Sequence, residues 1–204
     1  METEAYLEST DVIDWETPAV CRLAQKLSSA HTQAIDVARS CFEWVRDEID
    51  HSGDIRASVV TCSASDVLSE RTGWCFAKSH LLAALLRANG IPTGLCYQRL
   101  RRDDGAGFTL HGLNAILLPH TGWYRVDARG NKPGVNAQFT PPVEQLAWPV
   151  AEPGEIDLPE IWARPLPIVV EYLRENNSLV DATRNLPDIE LIETGHNQCH
   201  HSPR

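Results

Sequence analysis

Residues 71–92 read RTGWCFAKSHLLAALLRANGIP, and this stretch decides the fold class. From Cys75 onward its alanines and leucines favour one long helix, since both residue types are strong helix formers. Asn89-Gly90 followed by Pro92 predicts the end of that helix, because glycine adopts the left-handed conformation found at helix ends and proline cannot continue a helix. Cys75 is therefore predicted to open the most regular helix of the chain.

A cysteine at the first position of a helix has distinctive chemistry. The unpaired backbone N–H groups and the helix dipole favour an anion there, and a neighbouring imidazolium adds to this effect. Such surroundings lower the pKa of a thiol from about 8.5 by several units. The same N–H groups can stabilise the oxyanion that forms when a thiolate attacks a carbonyl. Cys75 is thus a candidate nucleophile, although a buried packing cysteine fits the position equally well.

Two strands follow the helix, Phe108–Leu118 and Trp123–Ala128, and the turn at Pro119–Gly122 predicts that they form a hairpin. With a small register offset or a bulge, His111 on the first strand comes close to facing Asp127 on the second. A carboxylate that binds a histidine orients the ring and stabilises its cation, as in a nucleophile–base–orienter arrangement. Taken alone, the pair also fits a surface histidine and a carboxylate at a strand end.

The flanking segments place helices before this region and a further strand inside it. Apolar residues at helical spacing predict helices at Val20–Leu27 and Ile35–Ile49, and Ser63–Asp66 has the form of a capping box. Gly94–Leu100 is typical of a strand. Helices packed on an antiparallel sheet make an α+β fold. Two short helices are predicted near the C-terminus, at Ile168–Leu173 and Ser178–Asn185.

The motifs, in this order and spacing, resemble the transglutaminase-like superfamily. In that family a Gly-x-Cys turn opens a helix that ends in an Arg-Ala-x-Gly-Ile-Pro stretch, and this chain has Gly73-Trp74-Cys75 and Arg87–Pro92. His111 with Asn114 three residues later resembles the family's histidine strand. Gly122–Asp127 resembles its Gly-Trp-x-x-x-Asp strand.

The resemblance covers roughly residues 34–130 and implies a transglutaminase-like, broadly papain-like fold. It implies that Cys75 is the nucleophile, His111 the general base and acid, and Asp127 the residue that orients the histidine. It also implies an oxyanion partner upstream of the cysteine, which no motif identifies. The expected substrates are amide, ester or thioester carbonyls of a peptide, a protein or a small molecule. Water or an amine would resolve the thioacyl intermediate, and the chemistry needs no cofactor or metal.

Two other functions stay open at this point. The sequence Arg-x-Gly-x-Cys at Arg71–Cys75 also fits an arylamine N-acetyltransferase-like enzyme, although the chain is short for such an enzyme. A non-catalytic scaffold for protein binding could also use the same fold. The presence of all three candidate residues counts against that scaffold, because protein binding does not require them.

Composition and charge exclude several classes of partner. The chain has 28 acidic and 18 basic residues and a formal net charge of −10, so nucleic acid is not an expected partner, because phosphate binding needs clustered Lys and Arg. The acidic N-terminus lacks an apolar signal region, and no stretch approaches the roughly 18 apolar residues of a membrane span. We therefore expect a cytoplasmic protein whose six cysteines are reduced.

The expected organisation is one domain. Residues 1–33 are predicted to form an N-terminal helical segment, residues 34–130 the catalytic core, and residues 131–195 a proline-rich wrapping segment with the C-terminal helices. Residues 196–204 are expected to be a disordered tail. The histidines and the cysteine of that tail could instead ligate a transition metal, since imidazole and thiolate suit Zn²⁺.

The remaining histidines are expected to lie outside the site. His80 is five residues past Cys75 on the same helix and about 140° around it, so it is interpreted as a surface residue. His31 and His51 lie at helix edges, where exposed or capping positions are expected.

Overall fold

A computed structural model describes residues 3–176 and 178–189, and it confirms an α+β fold with helices packed on an antiparallel sheet. After a 3-10 turn at Glu4–Tyr6, the helices are α1 (Pro18–Ser28), α2 (Ala34–Glu48), α3 (Ser52–Ile55), α4 (Ala64–Glu70), α5 (Cys75–Ala88), α6 (Pro167–Glu175) and α7 (Leu179–Arg184). The strands are β1 (Asp50–His51), β2 (Thr72–Gly73), β3 (Thr93–Arg101), β4 (Phe108–Leu118), β5 (Gly122–Val126) and β6 (Ile156–Asp157). No helix in these ranges is long and apolar enough to cross a membrane.

The helix α5 lies at the centre of the core, and every residue from Cys75 to Arg87 is buried. It packs against α1, α2 and α4 and against β3 and β4 of the sheet. Its leucines are fully buried, and each contributes about 1.5–3 kcal/mol through burial of apolar surface. The helix ends at Asn89-Gly90 as predicted, and Gly90 has a φ of +71°.

A charged side chain from α5 lies inside this core. Lys78 is fully buried, and its Nζ donates hydrogen bonds to the carbonyl oxygens of Ile49 and Arg46. The last carbonyls of a helix have no donor within the helix, so the lysine satisfies the C-terminal end of α2 and ties α5 to it. Burial lowers the pKa of Lys78 to about 7.

The larger sheet has four strands in the order β5-β4-β3-β6, and all of its pairs are antiparallel. β3 pairs with β4 along its whole length, and β4 and β5 form the predicted hairpin. β5 pairs with only the second half of β4, because it ends at Val126, opposite Asn114. The first half of β4 therefore extends beyond β5, and this half contains His111.

The segment between α2 and α5 contains a short parallel pair that the sequence did not predict. β1 pairs with β2, so that His51 lies opposite Gly73. Strands of two residues have no periodic pattern to detect. The capping box was predicted, and it is present at the start of α4, where Ser63 and Asp66 bind each other's backbone N–H groups.

Residues 129–166 wrap the core with little regular structure, and β6 adds two residues to the free side of β3. Backbone carbonyls outside regular elements need other donors, and arginine side chains of the core supply several of them. These bonds run from Arg39 to Phe139 O (2.8 Å), from Arg46 to Ala137 O (3.2 Å) and from Arg87 to Ala163 O (2.6 Å).

Candidate active site

Cys75 is the first residue of α5, and its side chain lies against β4. The extended backbone of β2 continues through Trp74, which has φ −64° and ψ 163°, so the helix begins at the cysteine. The backbone N–H of Gly112 donates a hydrogen bond to Cys75 Sγ at 3.4 Å. The thiol thus lies between the N-terminus of α5 and the edge of β4, and the residue is only 7% exposed.

The close contact between α5 and β4 depends on Gly112. A Cβ atom at this position would lie 2.6 Å from Cδ1 of Phe76 and 3.1 Å from its Cα. The Cα belongs to the helix backbone, which cannot move aside as a flexible side chain can. Any larger residue would therefore push the start of α5, and Cys75 with it, away from the strand.

His111 and Asp127 are in direct contact. His111 Nε2 and Asp127 Oδ2 are 2.7 Å apart, and both side chains are buried. Asp127 lies one residue beyond the end of β5, which places it diagonally across the hairpin from His111. The β4–β5 pairing runs without interruption to Asn114 and Val126, so the contact is made across an offset of two residues just beyond the paired strands.

The carboxylate of Asp127 is held by the segment that follows β5. Its Oδ1 accepts from the backbone N–H of Arg129 at 3.0 Å, and its Oδ2 accepts from the N–H of Ala147 at 3.2 Å. Burial alone raises the pKa of Asp127, but the charge of His111 and these hydrogen bonds outweigh it and hold the pKa below its usual value. The carboxylate is therefore ionised beside the imidazole ring.

The electrostatics favour a cationic His111. Burial alone lowers the pKa of this histidine, but the Asp127 carboxylate and the Cys75 side chain, through charge and hydrogen bonding, raise it to about 10. Because Nε2 is engaged with Asp127, the other ring nitrogen is left for the thiol. The structure thus brings together all three residues that were singled out in the sequence, and it arranges them in the order Cys75, His111, Asp127.

The wrapping segment adds an aromatic wall beside His111. Trp148 contacts the His111 ring edge-on, with 4.8 Å between ring centroids and an interplanar angle of 87°. The guanidinium of Arg129 lies 5.1 Å from the centre of the Trp148 ring. Arg129 is in turn held by Asp54 of α3 through two bonds of 2.6 and 2.9 Å. No signal in the sequence linked these three residues to the histidine, because their contacts are made only by tertiary packing.

His51 also lies close to the candidate site. It is the N-cap residue of α3, so it lies at a helix edge as predicted, but its expected exposure is wrong. Its side chain is only 10% exposed, and its ring meets that of Trp74 edge-on at 5.5 Å. His51 Nδ1 is 3.8 Å from Asp54 Oδ1 and has no hydrogen-bond partner among the described residues. Burial, and then the positive charge of Arg129, lower its pKa to about 3, so the ring is neutral. The pairing of β1 with β2 brings it here.

His80 is also buried, so the interpretation of a surface histidine is wrong. It is 1% exposed, and its Nδ1 lies 2.8 Å from the carbonyl oxygen of Cys62. Burial lowers the pKa of His80 to about 4, which keeps the ring neutral. Because α5 is surrounded on all sides, even the face of the helix turned away from Cys75 packs against protein.

The described residues contain no group of three or more His, Cys, Asp and Glu side chains that could hold a metal ion. The histidine-rich tail at residues 196–204, where metal ligation was an alternative, lies outside the described part of the chain.

A cysteine at a helix N-terminus, beside a histidine that a buried carboxylate orients, is the arrangement typical of cysteine-nucleophile enzymes. The family comparison agrees with this class. The model of the transglutaminase-like superfamily matches residues 22–128, just over half of the sequence, and the chain belongs to that superfamily. The resemblance noted from the sequence motifs is thereby confirmed.

Solved structures resemble this chain at low identity. A candidate cysteine protease from Cytophaga hutchinsonii is 20% identical, with a TM-score of 0.53 over 63% of this chain and 42% of its own. The periplasmic domain of TgpA from Pseudomonas aeruginosa is 19% identical, with a TM-score of 0.48 over 63% of this chain and 48% of its own. The chain thus spans less than half the length of either structure. No curated protein matches the sequence.

Proposed function

We propose that this protein is a cysteine-nucleophile acyl-transfer enzyme that acts on amide, ester or thioester carbonyls through a thioacyl intermediate. The observation that carries the proposal is the buried His111–Asp127 pair beside Cys75 at the start of α5, where Cys75 Sγ accepts from the N–H of Gly112, the residue next to His111. A histidine held in this way can keep the thiol ionised and can then give its proton to a leaving group.

The proposed reaction has two halves, acylation of Cys75 and release of the acyl group from it. Cys75 Sγ attacks the carbonyl carbon, a C–S bond forms, and the carbonyl π electrons move to the oxygen. Backbone N–H groups at the start of α5 stabilise that oxyanion. His111 then protonates the leaving amine, alcohol or thiol as its bond to carbon breaks, which leaves a thioester on Cys75. Asp127 stays ionised and orients the ring throughout.

The second half of the reaction returns the enzyme to its starting state. Neutral His111 takes a proton from water or from an amine as that molecule attacks the thioester carbon, and the C–S bond breaks. Attack by water makes the protein a peptidase or amidase. Attack by an amine makes it an acyltransferase or a cross-linking enzyme. Both outcomes use the same three side chains, so the acceptor has to be measured.

The arylamine N-acetyltransferase-like alternative rests on the sequence Arg-x-Gly-x-Cys at Arg71–Cys75. The Arg71 side chain lies 4.8 Å from the ring of Trp44 on α2 and pairs with Glu48 at 3.3 Å, so it packs against α2. Acetylation of Cys75 by acetyl-CoA would distinguish this alternative. The scaffold alternative predicts that Cys75 does not become acylated by any donor.

The test is direct detection of an acyl group on Cys75. The protein is incubated with p-nitrophenyl acetate, acetyl-CoA or an unstructured peptide, quenched in acid and analysed by peptide mass spectrometry. We expect an acyl group on Cys75 that is lost in Cys75→Ser and strongly reduced in His111→Ala. Added methylamine then separates the acceptors, since an acyltransferase forms the methylamide faster than the free acid. Absence of acylation at Cys75 with all three donors would contradict the proposed function.

A further inference from the structure

The reacting groups are almost completely covered in this structure. Cys75 is 7% exposed and His111 is 5% exposed. A carbonyl carbon has to come within about 3–3.5 Å of the sulfur before attack can occur. Some part of the protein must therefore move before a substrate reaches the thiol, and the surrounding contacts indicate which part.

The cover comes from the last described part of the chain, residues 166–176 and 178–189, which we call the C-terminal strap. Tyr172 of α6 contacts Trp74 and Phe76, the two neighbours of Cys75, with ring centroids 6.4 and 6.0 Å apart. The strap lies beyond residues 22–128, which match the family.

The strap also occupies the strand edge beside the thiol. Backbone N–H groups two residues apart on a strand point to the same edge, so those of Leu110 and Gly112 face the same way. The Gly112 N–H binds Cys75 Sγ, and the Leu110 N–H donates to the carbonyl oxygen of Pro187 at 2.7 Å. Two residues of a strand span about 7 Å, so the strap crosses this edge next to the nucleophile.

Several side-chain contacts hold the strap in place, among them Arg174 to Asp11, Thr109 to Pro187 O and the two that follow. Asp188 forms a two-bond ion pair with Arg99 of β3, with both N–O distances 2.7 Å. The hydroxyl of Tyr172 donates to the carbonyl oxygen of Ala182 at 3.1 Å and so ties α6 to α7. The ion pair is partly exposed, whereas Val169, Leu173 and Ala182 of the strap are buried in the main core, so opening the strap also exposes apolar surface.

We propose that the C-terminal strap is an autoinhibitory cover that occupies the binding site of an extended peptide substrate. In the closed state the Pro187 carbonyl accepts the hydrogen bond of the Leu110 N–H, and the Tyr172 ring covers the thiol. When the strap opens, the backbone carbonyl of an extended peptide takes the Leu110 N–H and aligns the next amide of the peptide with Cys75. This is the addition of a strand to an open sheet edge. The inference rests on the proposed function, since Cys75 is taken as the reacting group.

The test measures access to Cys75 without requiring turnover. Alkylation by iodoacetamide is followed for each cysteine by mass spectrometry in wild type, Asp188→Asn and the control Asp104→Asn. Asp104 forms a similar two-bond pair with Arg102, but in an exposed loop away from the strap. We expect Asp188→Asn to raise the rate of Cys75 alkylation about fivefold, because one charge-assisted ion pair is lost. Asp104→Asn should leave this rate unchanged.

A second variant and an internal control keep the test decisive. Tyr172→Phe keeps the ring but loses the bond to Ala182, so it should also increase labelling of Cys75. Cys41 is fully buried in the core, and faster labelling there would reveal general unfolding instead of strap opening. If neither Asp188→Asn nor Tyr172→Phe labels Cys75 faster than wild type does, the strap is not a cover and the proposal is overturned.

The same experiment separates this proposal from the proposed function. The labelling rate of Cys75 in urea-unfolded protein gives the reactivity of an ordinary accessible thiol. If the strap variants label faster than wild type but no faster than the unfolded chain, the cover exists while the thiol is not activated. If labelling is unchanged by the variants yet depends on His111, the thiol is activated and the strap does not control it.

Discussion

The family region, residues 22–128, and the later segment, residues 129–189, are built in different ways. The family region contains long helices and strands, and it includes the candidate residues Cys75, His111 and Asp127. The later segment has short elements joined by irregular chain, and much of it is held by side chains of the core. The family region therefore contains the three candidate residues, but the surroundings of these residues also depend on the later segment.

The dependence is specific. The later segment supplies the Ala147 N–H to Asp127, the Trp148 ring to His111 and, in the proposed closed state, the Tyr172 ring beside Cys75. In the proposed reaction, the family region supplies the groups that react, and the later segment orients them and covers them. Substitutions in the two regions should therefore differ in the size of their effects on activity.

The largest effect should come from Cys75→Ala in the family region. Removal of the nucleophile should reduce turnover of an acyl donor by about a thousandfold or more, because no other group can form the thioester. The melting temperature should change little, since alanine also fits a buried position. Cys21→Ala, a cysteine outside the site, is the matched control and should keep the activity of wild type. Equal turnover in the two variants would remove Cys75 from the mechanism.

Asp127→Asn should have the next largest effect. The amide is neutral, and it places N–H groups opposite the donors of His111, Arg129 and Ala147, so the imidazolium loses its main support. We expect turnover to fall by about a hundredfold or more. Asp104→Asn is the control, because Asp104 pairs with Arg102 in an exposed loop. Steady-state kinetics on both variants would contradict the assigned role if their losses were the same.

A smaller effect is expected from Trp148→Leu in the later segment. Leucine keeps an apolar side chain but removes the ring that meets His111 edge-on, so the histidine should be less well oriented. Turnover should fall by about tenfold or less, a modest loss because no reacting group is removed. Trp123→Leu, at a tryptophan that contacts Tyr6 instead, should stay within about twofold of wild type. Identical losses in the two variants would mean that Trp148 contributes only to stability.

The smallest effect on activity is expected at His80, where the prediction concerns stability instead. His80 contrasts with His111, the other buried histidine of α5 and β4 in the family region. Its pKa is lowered from 6.5 to about 4, so the folded state favours the neutral ring. The stability that this group contributes is fully present above pH 6.5 and is lost as the pH falls towards 4, up to about 3 kcal/mol. Denaturation of wild type and His80→Gln between these pH values should show a steeper loss for wild type. Parallel curves would contradict the neutral assignment.

A helix or strand was predictable wherever its own residues showed a helical or strand pattern. The run of alanines and leucines in α5 and the apolar strand β4 both appear close to the expected residues. The two-residue strands β1 and β2 have no such pattern, and so the burial of His51 was missed. The three candidate residues could be selected because each belongs to a local motif. The contacts of Trp148 and Tyr172 arise only when distant segments pack, and a single sequence does not reveal them.

The pH dependence of Cys75 alkylation, compared between wild type and His111→Ala, tests most directly whether an activated pair exists. Both proteins carry the strap, so its cover affects the two rates alike. The pKa of His111 is raised from 6.5 to about 10, and the imidazolium should therefore persist until the pH rises through 10. We predict that wild type labels about tenfold faster or more at neutral pH and that this advantage disappears near pH 10. Equal rates in the two proteins at every pH would contradict the proposed pair.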